Sequence, residues 1–223
     1  METSPKGSRK TLLLEKLLAF DRQETRASRA GWMAGVDEAG RGPLAGPVVA
    51  AAVILLHPES LAGINDSKKL SAERREELYV RIARAGIVGI GSVDEKQIDE
   101  INIYEATRLA MKKAVLNLPH TPSKILIDGP MRLDLALEQK GIIRGDGQSA
   151  SIAAASIVAK VFRDHWMRKL HELYPAYAFH NHKGYGTAEH MEALRVKGPS
   201  PVHRYSFEPV REAAQAASLA PAS

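Results

Sequence analysis

Two apolar runs, Trp32 to Glu38 and Val48 to Leu56, are separated by a segment that neither a helix nor a strand can cross. That segment, Ala39-Gly40-Arg41-Gly42-Pro43-Leu44-Ala45-Gly46-Pro47, places three glycines and two prolines in nine residues. The runs are therefore read as two strands folded back on each other, a hairpin-like start that argues against a purely parallel, doubly wound sheet. Downstream, the pattern predicts a helix from Ser71 to Ala85, a strand from Ile87 to Val93, and a helix from Asn102 to near Leu118, where Pro119 stops it. Short strands follow at Lys124–Asp128 and at Gly141–Gly145. A long helix from Gln148 to Tyr174 carries Ile152, Ala155, Ala159, Phe162, Trp166, Leu170 and Leu173 at steps of three and four. Its charged residues, Arg163 and Asp164 among them, are read mostly as a solvated face. An antiparallel opening followed by alternating strands and helices predicts a mixed α/β sheet with helices on its faces.

The 223 residues suffice for one domain with a self-sufficient core. Residues 1–211 are expected to form that domain, with a C-terminal helical extension, and the Ala- and Ser-rich residues 212–223 to form a flexible tail. The absence of cysteine removes disulfides, thiolate metal sites and cysteine nucleophiles, and fits the cytoplasm. The longest apolar stretch, Pro43 to Leu56, is 14 residues and is interrupted, too short for a membrane span. The net charge of +5 is unevenly spread: +3 over residues 1–30, −1 over 31–157 and +3 over 158–223. Basic flanks around a near-neutral centre are compatible with a polyanionic partner.

Within that centre, acids stand where apolar strands end. Asp37 and Glu38 close Gly35-Val36-Asp37-Glu38, Asp128 closes Ile125-Leu126-Ile127-Asp128, and Asp146 sits in Arg144-Gly145-Asp146-Gly147 just before the long helix. A buried carboxylate without a cation is costly, and several together repel one another. Oxygen ligands without sulfur suit Mg²⁺ or Mn²⁺, and paired divalent ions are a recurrent device for phosphodiester cleavage. Adjacent strand residues point to opposite faces, so Asp37 and Glu38 share one site only if the strand bends at Gly40-Arg41-Gly42 or Glu38 offers its main-chain carbonyl.

The stretch from Gly35 to Ala50 resembles the opening strand pair of the ribonuclease HII family. Asp66-Ser67-Lys68-Lys69-Leu70-Ser71, Ile127-Asp128-Gly129, Gly145-Asp146 with Ser151 to Val161, and His182-Lys183-Gly184-Tyr185-Gly186-Thr187 resemble its later blocks in the same order. The resemblance implies a ribonuclease H-like fold with a mixed five-stranded sheet. It implies that Asp37, Glu38, Asp128 and Asp146 are catalytic carboxylates binding two Mn²⁺ or Mg²⁺ ions, that Gly40, Arg41 and Gly42 contact a ribose 2′-hydroxyl, and that Tyr185 packs at the sugar where RNA gives way to DNA. The implied reaction is hydrolysis on the 5′ side of a ribonucleotide, in an RNA–DNA hybrid or in duplex DNA holding a single ribonucleotide; the chain itself is expected to be a monomer.

The residues support these roles in their own right. Glycines beside Arg41 permit close backbone approach, and a 2′-hydroxyl is what distinguishes RNA from DNA. Tyr185, between two glycines, is poorly placed for a core role. Lys68, by its charge, is read as a phosphate contact, and Arg204 as a candidate for another. Where the family often has a second basic residue, this chain has Tyr205. His180-Asn181-His182 is read as loop histidines before a metal pair. The N-terminal basic helix either touches substrate or covers the sheet.

Overall fold

The computed structural model describes residues 5–27 and 31–219, with side chains from residue 9 onward. Its elements are α1 (Pro5–Arg26), β1 (Met33–Ala39), β2 (Val48–Leu55), α2 (Ala72–Ala85), β3 (Gly86–Val93), α3 (Glu95–Leu116), β4 (Lys124–Asp128), β5 (Glu138–Ile142), α4 (Ala150–Leu173), α5 (Phe179–His182), α6 (Ala188–Lys197) and α7 (Glu208–Leu219). They form one five-stranded sheet in the order β3-β2-β1-β4-β5. As the glycine- and proline-rich turn requires, β1 and β2 are antiparallel, with Asp37 opposite Ala51 and Glu38 opposite Ala50. β1 and β4 are parallel, as are β4 and β5.

The chain divides into two compact units. One comprises residues up to Ala39, Val49–Ser92 and Arg108–Val161; the other comprises Gly40–Val48, Val93–Thr107 and the chain from Phe162 onward. Each unit is assembled from three separate segments of the chain. Residues 212–219, expected to fray, continue α7, which buries Val210 and rests Ala213 on the same cluster. Alanines favour that helix once an apolar stripe gives it something to bury.

In the first unit, Ala51 and Val53 of β2 pack with Leu14 and Leu17 of α1, Leu78 and Ile82 of α2, and the small residues of α4. In packing, α1 contributes Leu14 and Leu17 to the core, with Leu13 and Leu18 resting against it and Leu12 exposed. Asp21 of α1 accepts the N–H of Ser151 at 2.9 Å, serving a free donor at the start of α4. Burial pushes the Asp21 carboxyl up to about 6. Close helix-on-sheet approach is purchased by missing side chains: a Cβ at Gly35 of β1 would lie 2.1 Å from the main-chain carbon of Ser151, and one at Gly91 of β3 would lie 2.2 Å from the Ala110 carbonyl oxygen of α3.

Two element boundaries differ from expectation. β5 runs from Glu138 to Ile142, three residues earlier than its apolar and glycine content suggests, because pairing Lys124 with Glu138 sets its register. α3 begins at Glu95, with Asp94 accepting the N–H of Gln97, and breaks at Asn102 (φ 66°). There the Asn102 side chain accepts the N–H groups of Tyr104 and Glu105, so the expected cap is present inside a longer element.

The second unit is built around Leu44, Ala45, Met167, Tyr177, Phe179, Leu194 and Val210. Phe162–Leu173 departs from the expected stripe: Trp166 and Leu173 are exposed, while Met167, Arg163 and Asp164 are buried. Beside this core, His182 stacks on His190 at 4.5 Å, and His190 meets His203. Burial pushes His190 down to about 4 and His203 down to about 3, with His182 lowered as well. Glu189 and Lys183 act on this group with opposite signs. Because the folded values are depressed below the ordinary 6.5, the unfolded chain binds more protons throughout the window from about 6.5 down to about 3. Stability should be fully present above pH 6.5 and fall as the pH drops, by roughly 3 kcal/mol by pH 4 for a shift of more than two units. Urea unfolding at successive pH values checks this; if His203→Gln leaves the acid slope as steep, the cluster is not its source.

Candidate active site

At the carboxyl end of β1 the ladder with β2 stays regular through Ala39, so the strand does not bend between Asp37 and Glu38. By strand alternation Asp37 shares its face with Gly35, the face against α4, and the Ser156 hydroxyl of α4 donates to it. Ser156 in turn bonds the Ser67 hydroxyl at 2.9 Å. Asp37 is only 5% exposed. Burial raises its carboxyl well above the usual range, and the charges of Glu38 and Asp128 raise it further, against the opposing donors Ser156 and the Glu38 N–H. The largest influences on Asp37 are therefore its burial, two neighbouring acids and two neutral donors.

Asp128, at the end of β4, accepts the N–H of Gly145 at 2.6 Å, which ties the β4 terminus to the turn carrying Asp146. Burial raises Asp146, and Asp66 and Asp128 add to this against the opposing charge of Lys68. Asp66 itself ends below its usual value: burial pushes it up, but the Lys68 N–H and the charges of Lys69 and Lys68 outweigh that. A cleft of about 470 Å³ is lined by Asp66, Lys68, Lys69, Asp128, Arg144, Asp146, Gly147 and Gln148. The first unit thus places Asp37 within electrostatic reach of Glu38 and Asp128, and Asp146 within reach of Asp128, Asp66 and Lys68.

Asp66, Lys69, Arg144, Gly147 and Gln148 of this cleft have no site role in the sequence reading. Asp66 was visible as an acid ahead of Lys68-Lys69. Arg144 was visible as a cation between apolar Ile143 and Gly145, and it adopts the left-handed conformation (φ 54°) that a non-glycine residue rarely takes. Among the described residues, no three Asp, Glu or His side chains converge into a finished metal cage. The donor set nevertheless fits a hard divalent cation: all oxygen, partly buried, and mutually repelling until a positive charge enters.

In the second unit, Gly40 has φ +97°, and a Cβ there would lie 2.0 Å from Nε of Arg163, so only glycine fits. Arg41 and Gly42 are exposed, and Gly42 lies against Tyr185: a Cβ on Gly42 would sit 3.6 Å from the Tyr185 ring. Tyr185 is 45% exposed. The Gly-Arg-Gly turn and Tyr185 therefore meet.

Arg204 does not serve as a phosphate contact. It is 0% exposed and donates to the carbonyls of Gly40, Arg41 and Gly46 at 2.7–3.0 Å. Arg163 likewise donates to the carbonyls of Pro47, Ala45 and Lys183. Two buried guanidinium groups draw the carbonyls of residues 40–47 inward and shape the turn from behind. His182 is no metal ligand either: Nδ1 accepts the Gly184 N–H and Nε2 faces the Tyr177 carbonyl.

The ribonuclease HII family model matches residues 34–210. The chain belongs to the ribonuclease HII family. It is 55% identical to a ribonuclease HII of Ligilactobacillus salivarius over 182 residues, 81% of this chain and 71% of that protein. The ribonuclease H2 of Pyrococcus horikoshii superposes with a TM-score of 0.70 at 26% identity, covering 82% of this chain and 97% of that one. Bst-RNase HIII, solved in complex with Mn²⁺, shares the fold at 21% identity and a TM-score of 0.62, covering 83% of this chain and 70% of that one. Ribonuclease HII enzymes are divalent-metal-dependent endoribonucleases, and membership makes this chain one of them. No helix among the described residues is long and apolar enough to cross a membrane.

Proposed function

We propose that this ribonuclease HII hydrolyses the phosphodiester on the 5′ side of a ribonucleotide, both in RNA–DNA hybrids and at single ribonucleotides within duplex DNA, acting as a cytoplasmic monomer. The observation that carries the reading is Asp37, buried at the end of β1 with its charge opposed by those of Glu38 and Asp128. Asp37, Glu38, Asp128 and Asp146 would hold two Mn²⁺ or Mg²⁺ ions. When bound, such ions make a hydroxide nucleophile available near neutral pH and stabilise the departing 3′-oxygen. The chain's own contribution is to fix the acids. The β1 ladder sets Asp37 and Glu38, the Gly145 N–H orients Asp128, and Ser156 orients Asp37. Lys68 offers a charge to the phosphate beside Asp146.

Selection of the ribonucleotide falls to Gly40-Arg41-Gly42 and Tyr185. With the Gly40 and Arg41 carbonyls taken by Arg204, this turn can offer a 2′-hydroxyl its remaining backbone groups without reading a base. Tyr185, over Gly42, supplies a ring face to the adjoining sugar. Since water attacks, the upstream product should end in a 3′-hydroxyl and the ribonucleotide should carry the 5′-phosphate. An end-labelled duplex with one ribonucleotide tests this, with chelator abolishing cleavage and Mn²⁺ or Mg²⁺ restoring it. A 2′,3′-cyclic phosphate product would overturn the reading, because it requires attack by the 2′-hydroxyl.

A further inference from the structure

The Tyr185 carbonyl is held by more than its own turn. It accepts the N–H of Thr187 at 2.8 Å and also faces Nδ1 of His190 at 3.0 Å. On the far side of that ring, Nε2 of His190 lies 3.0 Å from Nε2 of His203. Nδ1 of His203 then faces the Ser200 N–H at 3.0 Å and the Ser200 hydroxyl at 2.8 Å, with the Ser200 carbonyl farther away at 3.3 Å. Both imidazoles are almost fully buried.

These contacts fix where the protons lie. A backbone N–H can only donate, so Nδ1 of His203 accepts and the His203 proton sits on Nε2. That proton points at Nε2 of His190, which must accept, leaving the His190 proton on Nδ1. The Nδ1–H then donates to the Tyr185 carbonyl. Burial keeps both rings neutral, and a neutral pair has this one consistent arrangement. Every donor in the row runs in one direction, from Ser200 to Tyr185.

We propose that His190 and His203 are positioning residues for Tyr185: the row Ser200–His203–His190 locks the Tyr185 backbone, and the enzyme's efficiency at an isolated ribonucleotide depends on that lock. The inference rests on the reading of Tyr185 as the residue that meets the sugar. Its physical basis is that an exposed ring takes its place chiefly from its own backbone. The Tyr185 N–H is also tied, to the His182 carbonyl at 3.0 Å, so both ends of the residue are pinned. Loosening a substrate-positioning group by about 1 Å can cost up to ~100-fold in rate. A continuous hybrid, with many ribose contacts to choose from, should suffer less than a duplex that offers one.

The test compares kcat/KM on a duplex with one ribonucleotide and on a continuous RNA–DNA hybrid, using the full chain with Mn²⁺ or Mg²⁺. His190→Leu should lower the single-ribonucleotide value by about tenfold more than the hybrid value. His190→Asn, which keeps a donor at the δ position, should restore most of the ratio. Combined with Tyr185→Ala, His190→Leu should add nothing further, since both changes act through one side chain. In the unmodified protein, ring ¹⁵N shifts should show His190 protonated at Nδ1, the form a free histidine disfavours, and His203 protonated at Nε2. A proton on Nε2 of His190 overturns the proposal, and this spectrum decides it even where the leucine variant fails to fold. A folded His190→Leu that keeps the substrate ratio while Tyr185→Ala loses it also overturns the proposal and leaves the reading of Tyr185 standing. If Tyr185→Ala itself keeps the ratio, the reading falls and the proposal with it.

Discussion

Asp37→Asn should abolish cleavage while leaving the metal-free protein at least as stable as the parent. The side chains are isosteric, and the amide can still meet the Ser156 hydroxyl, so the packing around β1 and α4 is kept. What disappears is a negative charge held at 5% exposure against Glu38 and Asp128. Removing a repelling, desolvated charge relieves the folded state. Without divalent ions, the melting temperature should hold or rise by a few degrees, the shift that ~1 kcal/mol produces at this size. Adding Mn²⁺ should raise the melting temperature of the parent and do so less for the variant, because a ligand stabilises only the state that binds it. Activity should fall by about three orders of magnitude or more, since several kcal/mol of charge stabilisation is lost at roughly tenfold per 1.4 kcal/mol. Paired melting curves with and without metal, alongside turnover, check all three. A variant that melts well below the parent without metal would make Asp37 a structural residue and remove it from the chemistry.

The largest stability effect should come from a single methyl group at Gly35→Ala. The added carbon would lie 2.1 Å from the Ser151 carbonyl carbon and 2.3 Å from the Ile152 nitrogen, both main chain. Backbone cannot rotate away as a side chain can, so α4 must lift off β1 and open the core beneath Ile152, Ala153 and Ala154. Overpacking usually costs about 1–3 kcal/mol, and a clash with rigid backbone belongs at or above the top of that range. Denaturant unfolding reads the loss directly. The same displacement drags the turn bearing Asp146, so activity should fall further than the unfolded fraction explains. A stability loss under ~1 kcal/mol would show that α4 does not rest on β1 as described.

The sequence made the sheet and its acids legible for a common reason. An apolar run that stops on an aspartate carries both facts at once: the run must be buried, and the charge at its end must be answered. β1 and β4 both have that form. β5 does not, because Glu138-Gln139-Lys140 is an edge-strand sequence whose place is decided by the partner it pairs with. Arg163 and Arg204 were misread for a related reason. A buried guanidinium is expected opposite a carboxylate, but these two are answered by carbonyls scattered along residues 40–47 and at Lys183, which no local pattern reveals. Asp66 lacks the buried strand that drew attention to the others, and its part in the cleft follows from the turn that returns it to Asp146. The C-terminal alanines are poor in large apolar side chains, yet Val210 and Ala213 pack α7 against the cluster of the second unit.

The parallel pairing of β1 with β4 also sets a schedule. Asp37 and Asp128 are 91 positions apart, and Asp146 lies 18 further on. At about 5–20 residues per second of synthesis, the first acid leaves the ribosome roughly 5–20 s before the last. Until then β1 can pair only with β2. Pairing across so long a stretch of chain is also intrinsically slow. On the assignment of Asp37, Glu38, Asp128 and Asp146 proposed above, a nascent chain gains the means to cut nucleic acid only once the acids it makes last have joined those it makes first.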